Sequence, residues 1–192
     1  SIYSLDYKYL ADEGGRVVQQ VFFYGDDDGK KHFPQFLNSF SAKEWKITRQ
    51  KEWVEIKSIK GKPVWIYANL PLDSDKNLDD TAQKHLGIYL RKLDLSPSIV
   101  VHRGHSYWLP GTIARMPGSA KIILLGSCGG YKNLSEILDI SPDAHIVSTK
   151  EIGKVDINKP IINYLNQTLA AGKPIVWKDM WSTLTKVFEK DG

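Results

Sequence analysis

Short apolar segments recur along the whole chain and follow two kinds of pattern. Short runs of β-branched and aliphatic residues that end in glycine or polar residues are typical of buried strands, and we predict strands at 17–24, 64–68, 99–101, 121–125 and 145–148. Apolar positions that repeat every three or four residues are typical of amphipathic helices, and we predict helices at 33–40, 78–93, 134–138, 160–171 and 177–188. Alternating residues within 45–57 favour a hairpin.

This alternation of strands and helices is typical of an α/β domain, in which helices cover both faces of a mostly parallel sheet. The chain has 192 residues, which suits one domain on a scale of roughly 100–200 residues per domain. It has no linker-like stretch rich in Pro, Gly or Ser, so we expect a single α/β domain over residues 1–192. Because the chain begins at Ser1 without an initiator methionine, we expect a fragment of a longer protein.

Composition excludes several classes of protein. Apolar residues make up 42% of the chain and charged residues 25%, as in ordinary folded proteins. The net charge of +4 comes from scattered basic residues, so we expect no nucleic-acid partner. No apolar run reaches the ~18–20 residues of a membrane-spanning helix, and the single cysteine, Cys128, excludes an intrachain disulfide and a Cys-rich zinc module.

Candidate reactive residues follow two predicted strands. In parallel sheets, sites form beyond the carboxyl ends of the strands. The strand at 99–101 leads to His102 and His105, and the next strand, at 121–125, leads to Cys128. One crossover of this length brings two strands close together, so we expect Cys128 beside His105, or beside His102 as the alternative base. The glycines around Cys128 leave its thiol and the backbone amides of Cys128 and Gly129 accessible to a substrate.

The two motifs resemble those of the caspase-like (clan CD) cysteine peptidases. In that family, one strand ends in a His-Gly type of turn and the following strand ends in a cysteine that opens a turn of small residues. Here residues 98–101 lead into Arg-Gly-His-Ser at 103–106, and residues 121–125 lead into Ser-Cys-Gly-Gly at 127–130. The resemblance covers roughly residues 17–148, and its specific part is these two motifs.

The resemblance implies a three-layer caspase-like fold and hydrolysis of peptide bonds in a peptide or protein substrate. It implies that Cys128 is the nucleophile and that His105 is the base. The oxyanion would be held by backbone amides at Gly129 and at Ser106, which stands where the family usually has glycine. The chemistry needs no metal and no organic cofactor.

The acidic loop predicted at Asp26, Asp27 and Asp28 lies on the same edge of the sheet. By charge complementarity these three carboxylates predict a pocket for Arg or Lys before the scissile bond. Asp and Gly residues are also typical of a solvated turn.

Three alternatives stay open. The sequence at 126–130 also fits the nucleophile elbow of α/β-hydrolases or amidotransferase-like enzymes, whose histidine follows the nucleophile; here that histidine would be His145. His102, His105 and Cys128 together have ligand types that zinc accepts. Finally, the chain fits a catalytically inactive caspase-like interaction domain, in which Trp108, Trp177 and Trp181 would be core or interface residues.

Overall fold

The computed structural model describes residues 4–126, 131–148 and 157–191. In chain order the strands are β1 (Ser4–Leu5), β2 (Val17–Phe23), β3 (Trp45–Arg49), β4 (Trp53–Ser58), β5 (Val64–Asn69), β6 (Ile99–Arg103), β7 (Ile122–Leu125), β8 (His145–Ser148) and β9 (Ile175–Val176). The helices are α1 (Tyr7–Leu10), α2 (Asp27–Asn38), α3 (Leu78–Lys92), α4 (Leu109–Ala114), α5 (Tyr131–Ile140), α6 (Asn158–Ala170) and α7 (Trp177–Asp191), with a 3₁₀ turn at Ser106–Trp108.

Within the described residues, seven strands form one mixed sheet in the order β3-β4-β5-β2-β6-β7-β8. The five strands from β5 to β8 in this order are parallel. Strands β3 and β4 form an antiparallel hairpin at one edge, and β1 pairs with β9 in a separate small sheet. The predicted α/β class, the mostly parallel sheet and the hairpin are confirmed.

Strand β2 lies in the middle of the sheet, and all seven of its residues are buried. On one face, Val17, Val21 and Phe23 pack in a cluster with residues of α2 and α6. On the other face, Val18 packs with residues of α3 and Phe22 with residues of α4. Because both faces of the sheet are covered, β2 does not alternate between buried apolar and exposed polar residues. Its residues are apolar except for two buried glutamines.

Helix α2 begins earlier than the sequence pattern predicts, and the loop prediction at residues 26–29 is wrong. Asp26 is the N-cap, and its side chain accepts a hydrogen bond of 2.7 Å from the amide of Gly29. Asp27 and Asp28 occupy the first helical turn, where carboxylates interact favourably with the helix dipole. The three consecutive aspartates therefore start a helix.

Helix α3 confirms its predicted bounds closely, but the side chains that it buries are not all apolar. Leu78 and Leu93 are exposed, whereas Asp79 and Gln83 are buried. The Asp79 carboxylate accepts from the amide of Gly25 at 2.9 Å, and the Gln83 amide donates to the carbonyl of Phe23 at 2.9 Å. These two polar side chains satisfy the backbone where β2 ends, which explains why they face inward.

Strands β6 and β7 are parallel neighbours, as their spacing in the sequence predicts. Their register pairs Ile99 with Ile122 and His102 with Leu125. Beyond the last pair, the amide of Gly126 donates to the carbonyl of His102 at 3.0 Å. The carboxyl ends of the two strands therefore lie side by side at the same edge of the sheet.

Candidate functional site

His105 lies at the carboxyl edge of the sheet, at the N-cap of the 3₁₀ turn that follows β6. Its Nε2 is hydrogen-bonded to Oδ2 of Asp28, in the first turn of α2. Strand β2, which precedes α2, is the direct neighbour of β6, and this adjacency brings the two residues together. The side chains are 61% and 54% exposed, so the pair is open to a ligand from solvent.

The three aspartates of the predicted acidic pocket have different surroundings. Besides capping α2, Asp26 accepts a hydrogen bond of 2.9 Å at Oδ2 from the indole nitrogen of Trp108. Asp28 is bonded to His105. Asp27 is exposed on the first turn. The carboxylates of Asp26 and Asp28 are therefore hydrogen-bonded to other side chains of the protein. Among the described residues, the carboxylate of Asp27 has no such contact and faces solvent.

A layer of aromatic rings supports the segment around His105. Tyr24 and Trp108 are stacked, with ring centroids 5.3 Å apart and planes 11° apart. Tyr107 contacts Trp108 edge to face at 4.9 Å and is 78% exposed. Trp108 is partly buried against the cluster that contains Phe22 and Leu109. The Trp108 indole therefore packs both against the aromatic rings near His105 and against the edge of the core.

His102 lies beneath this surface and is fully buried. Its Nδ1 is 2.6 Å from Oγ1 of Thr112, and its Nε2 is 3.0 Å from the carbonyl oxygen of His105. Burial lowers the pKa of His102 to about 4. Both ring nitrogens are occupied and the ring is closed off from solvent, so this geometry favours His105 over His102 as the residue that meets a substrate.

The oxyanion candidates are placed in part. Ser106 begins the 3₁₀ turn and is exposed, and a backbone amide at a helix start has no partner within the helix. Gly126 lies where β7 ends, and a Cβ added there would be 2.9 Å from the carbonyl oxygen of His102. A side chain at this position would therefore push the ends of β6 and β7 apart. Cys128 and Gly129 lie outside the described residues.

His145, the histidine that the nucleophile-elbow hypothesis requires, lies at the amino-terminal end of the parallel strands. His145 is the first residue of β8 and pairs with Ile122, the first residue of β7. Its Nδ1 accepts a hydrogen bond of 3.1 Å from the indole nitrogen of Trp177. His145 therefore lies at the amino end of β7, opposite to the end at Leu125 and Gly126.

Sequence reasoning missed the role of Asp28. An acidic segment directly before an amphipathic helix is a start signal for that helix, and reading it so would have placed Asp28 in a first turn at the site edge. The partnership of Trp108 with Asp26 leaves no comparable signal, because the two residues are 82 positions apart. In the described part of the chain, no group of three His, Cys, Asp or Glu side chains is arranged to hold a metal ion.

No helix among the described residues is both long and apolar enough to cross a membrane. Comparison of the sequence with protein-family models gives no match, and comparison with curated proteins gives no significant match.

Proposed function

We propose that this protein is a caspase-like cysteine endopeptidase in which Cys128 is the nucleophile and His105 is the general base and acid. The observation that carries the proposal is the exposed His105–Asp28 pair, at the edge of the sheet where β7 leads to Cys128. The strand order β5-β2-β6-β7-β8 supports the caspase-like resemblance, because the histidine and cysteine motifs follow neighbouring parallel strands.

The register of β6 and β7 supports contact between the two residues. His102 pairs with Leu125, His105 is three residues beyond the first, and Cys128 is three residues beyond the second. Three residues span at most roughly 10 Å, and both segments start from adjacent strands about 5 Å apart. These spans would allow a nucleophile and base at the two positions to reach each other.

The proposed reaction is acyl transfer through a thioester. His105 takes the proton from the Cys128 thiol, and the sulfur forms a bond with the peptide carbonyl carbon. The tetrahedral oxyanion is held by the backbone amides of Gly129 and Ser106. The C–N bond then breaks as His105 gives its proton to the amine, and a water molecule, deprotonated by His105, hydrolyses the thioester and restores the thiol.

Asp28 has a defined task in this scheme. As a carboxylate it only accepts hydrogen bonds, so the Nε2 of His105 that it contacts carries the hydrogen. Nδ1 is then the nitrogen that exchanges a proton with the thiol. Asp28 thus sets the tautomer and the direction of the ring.

We further propose cleavage after Arg or Lys, supported by the exposed carboxylate of Asp27, which precedes Asp28 on the first turn of α2. An accessible carboxylate next to the reacting groups attracts a cationic side chain. With Asp26 and Asp28 bonded within the protein, the preference depends on Asp27.

A fluorogenic peptide library that varies the residue before the scissile bond tests both proposals. We expect wild type to cleave basic substrates, Cys128→Ala and His105→Ala to lose at least a thousandfold in kcat/KM, and Asp27→Asn to lose the basic preference. His145→Ala is the matched histidine control and is expected to keep wild-type activity. Activity that survives in Cys128→Ala would refute the nucleophile, and a preference for acidic residues would refute the role of Asp27.

Alkylation of the thiol distinguishes an enzyme from an inactive domain. Iodoacetamide is expected to modify Cys128 at neutral pH much faster than a free thiol, and His105→Ala is expected to slow the reaction. A thiol that reacts only after denaturation, in a protein that cleaves no peptide, would instead favour a non-catalytic caspase-like interaction domain.

A further inference from the structure

We propose that Tyr24, Thr112 and His102 form a buried hydrogen-bonded chain that positions the backbone of His105, so that the histidine excluded from the surface acts through the exposed one. The proposal rests on the proposed function, because it assigns His102 as a positioning residue for the base of that reaction. It is argued from four contacts that lie between β2, β6, α4 and the 3₁₀ turn.

The protons of this chain follow from its chemistry, starting at the carbonyl oxygen of His105. A carbonyl only accepts, so the Nε2 of His102, 3.0 Å away, carries a hydrogen and donates. Burial keeps the imidazole neutral by lowering its pKa, so Nδ1 has no hydrogen and accepts from the Thr112 hydroxyl at 2.6 Å.

Tyr24 completes the chain. Once Thr112 has donated its single hydrogen to His102, its Oγ1 accepts from the hydroxyl of Tyr24, which is 2.6 Å away. Burial raises the pKa of Tyr24 to about 12, so this phenol keeps its proton and donates. The Thr112 hydroxyl therefore both donates and accepts, Nδ1 of His102 accepts and Nε2 donates, so the order of the donors is fixed.

The end of the chain is the carbonyl of the proposed base. That oxygen accepts from His102 Nε2 and also from the backbone amide of Trp108 at 3.0 Å. Two donors fix the peptide plane that follows His105, while Asp28 fixes its ring at Nε2. His105 is therefore fixed at its backbone carbonyl and at its ring, which orients Nδ1 before a substrate arrives.

The surroundings leave little room for the chain to rearrange. Tyr24 and His102 are buried, with ring centroids 5.5 Å apart, and Tyr24 is stacked on Trp108. A Cβ added at Gly104 would be 2.8 Å from a ring carbon of Tyr24. The turn between His102 and His105 therefore passes directly over the Tyr24 ring, and glycine is the residue that permits this approach.

Thr112→Val and Thr112→Ser form the test pair, because valine keeps the shape and removes the hydroxyl while serine keeps the hydroxyl. We expect Thr112→Val to lower kcat about tenfold with KM within twofold of wild type, since the peptide-binding surface is unchanged, and Thr112→Ser to restore kcat. A merely structural role would lower the melting temperature and leave kcat of the folded protein unchanged. Tyr24→Phe removes the hydroxyl that starts the chain and gives a second variant if the valine protein does not fold.

Nitrogen NMR of the protein without substrate tests the same hydrogen-bonded chain independently of catalysis. In wild type, His102 is expected as the neutral Nε2–H tautomer with Nδ1 accepting. The backbone amide of Ser106, which shares a peptide plane with the His105 carbonyl, is expected to be rigid. Thr112→Val, or Tyr24→Phe in its place, is expected to lower the order parameter of that amide.

An Nδ1–H tautomer of His102, or an unchanged order parameter in the variants, would overturn the proposal whatever the activity. Wild-type protein without peptidase activity, or with activity that survives Cys128→Ala, would instead refute the proposed function.

Discussion

The role of the Asp28 carboxylate depends on its surroundings in the folded protein. In the sequence it is the third of three aspartates that together suggest an acidic pocket. In the structure it accepts a hydrogen bond from the His105 ring, while Asp26 caps α2 and holds the Trp108 indole. The chemistry of the site therefore depends on the direction in which each side chain points, and single substitutions report on it.

Asp28→Asn is expected to lower kcat by about a hundredfold with little change in stability. The asparagine amide is able to donate to Nε2, which turns the tautomer around and leaves Nδ1 protonated before it meets the thiol. Steady-state kinetics measures the effect, and Asp27→Asn on the same helical turn is the control, expected to keep its kcat on a neutral substrate. Equal kcat in Asp28→Asn and wild type would contradict the role of Asp28.

The free energy of unfolding is expected to fall between pH 6.5 and pH 4 because of His102. Burial lowers the pKa of His102 in the folded state to about 4, whereas in the unfolded chain it is about 6.5. In this window the unfolded state binds the additional proton, so stability is fully present above pH 6.5 and decreases with acidification by roughly 3 kcal/mol.

Urea unfolding at several pH values measures this slope, and His102→Gln, which does not titrate, is expected to lack it. The titratable groups facing the ring are Tyr24, which stays neutral in this range, and His105. A wild-type slope no steeper than that of His102→Gln would show that the ring is charged in the folded protein.

At the scale of elements, the start of α2 connects the central strand to the turn that carries His105. Asp26 caps α2 through Oδ1, which accepts from the amide of Gly29, and its Oδ2 accepts from the indole of Trp108 in the 3₁₀ turn. Because the Trp108 indole is stacked on Tyr24, this one side chain ties β2, α2 and the 3₁₀ turn together. The contributions of the two Asp26 hydrogen bonds to the free energy of unfolding can be measured separately.

Asp26→Ala is expected to lower the free energy of unfolding by about 2 kcal/mol, because it removes the helix cap and leaves the Trp108 indole without its acceptor. Asp26→Asn keeps a good cap and is expected to lose about 1 kcal/mol, the part that belongs to Trp108. Urea denaturation followed by tryptophan fluorescence measures both. An alanine variant as stable as wild type would show that neither bond contributes.

At the scale of the whole molecule, a buried amide pair connects the central strand to a distant helix. Gln19 on β2 donates to Oδ1 of Asn166 on α6 at 3.0 Å, across 147 positions of sequence. Within the described residues, Oε1 of Gln19 and Nδ2 of Asn166 have no hydrogen-bond partner. The pair therefore specifies which helix packs on this face of β2 at some cost in desolvation.

Asn166→Leu alone is expected to lower the free energy of unfolding by about 2 kcal/mol, because it leaves the Gln19 side chain buried and unpaired. The double variant Gln19→Met, Asn166→Leu is expected to recover most of this loss, since both orphaned atoms are removed with little change in volume. A thermodynamic cycle from urea unfolding measures the coupling. Additive losses in the double variant would contradict a direct interaction.

Hydrophobic periodicity determined the order along the chain of the strands in the large sheet, its mostly parallel character, the β3–β4 hairpin and the shared edge at the carboxyl ends of β6 and β7. These features follow from which residues leave water and from short crossovers, both of which are local properties of the chain. The short elements β1, α1, α4 and β9 were not predicted from it. Only the tertiary structure decided that Asp28 faces His105, that Asp26 faces Trp108 and that His102 lies under the site. Such pairings depend on where distant side chains meet once the sheet is formed, and neither spacing nor composition contains that information.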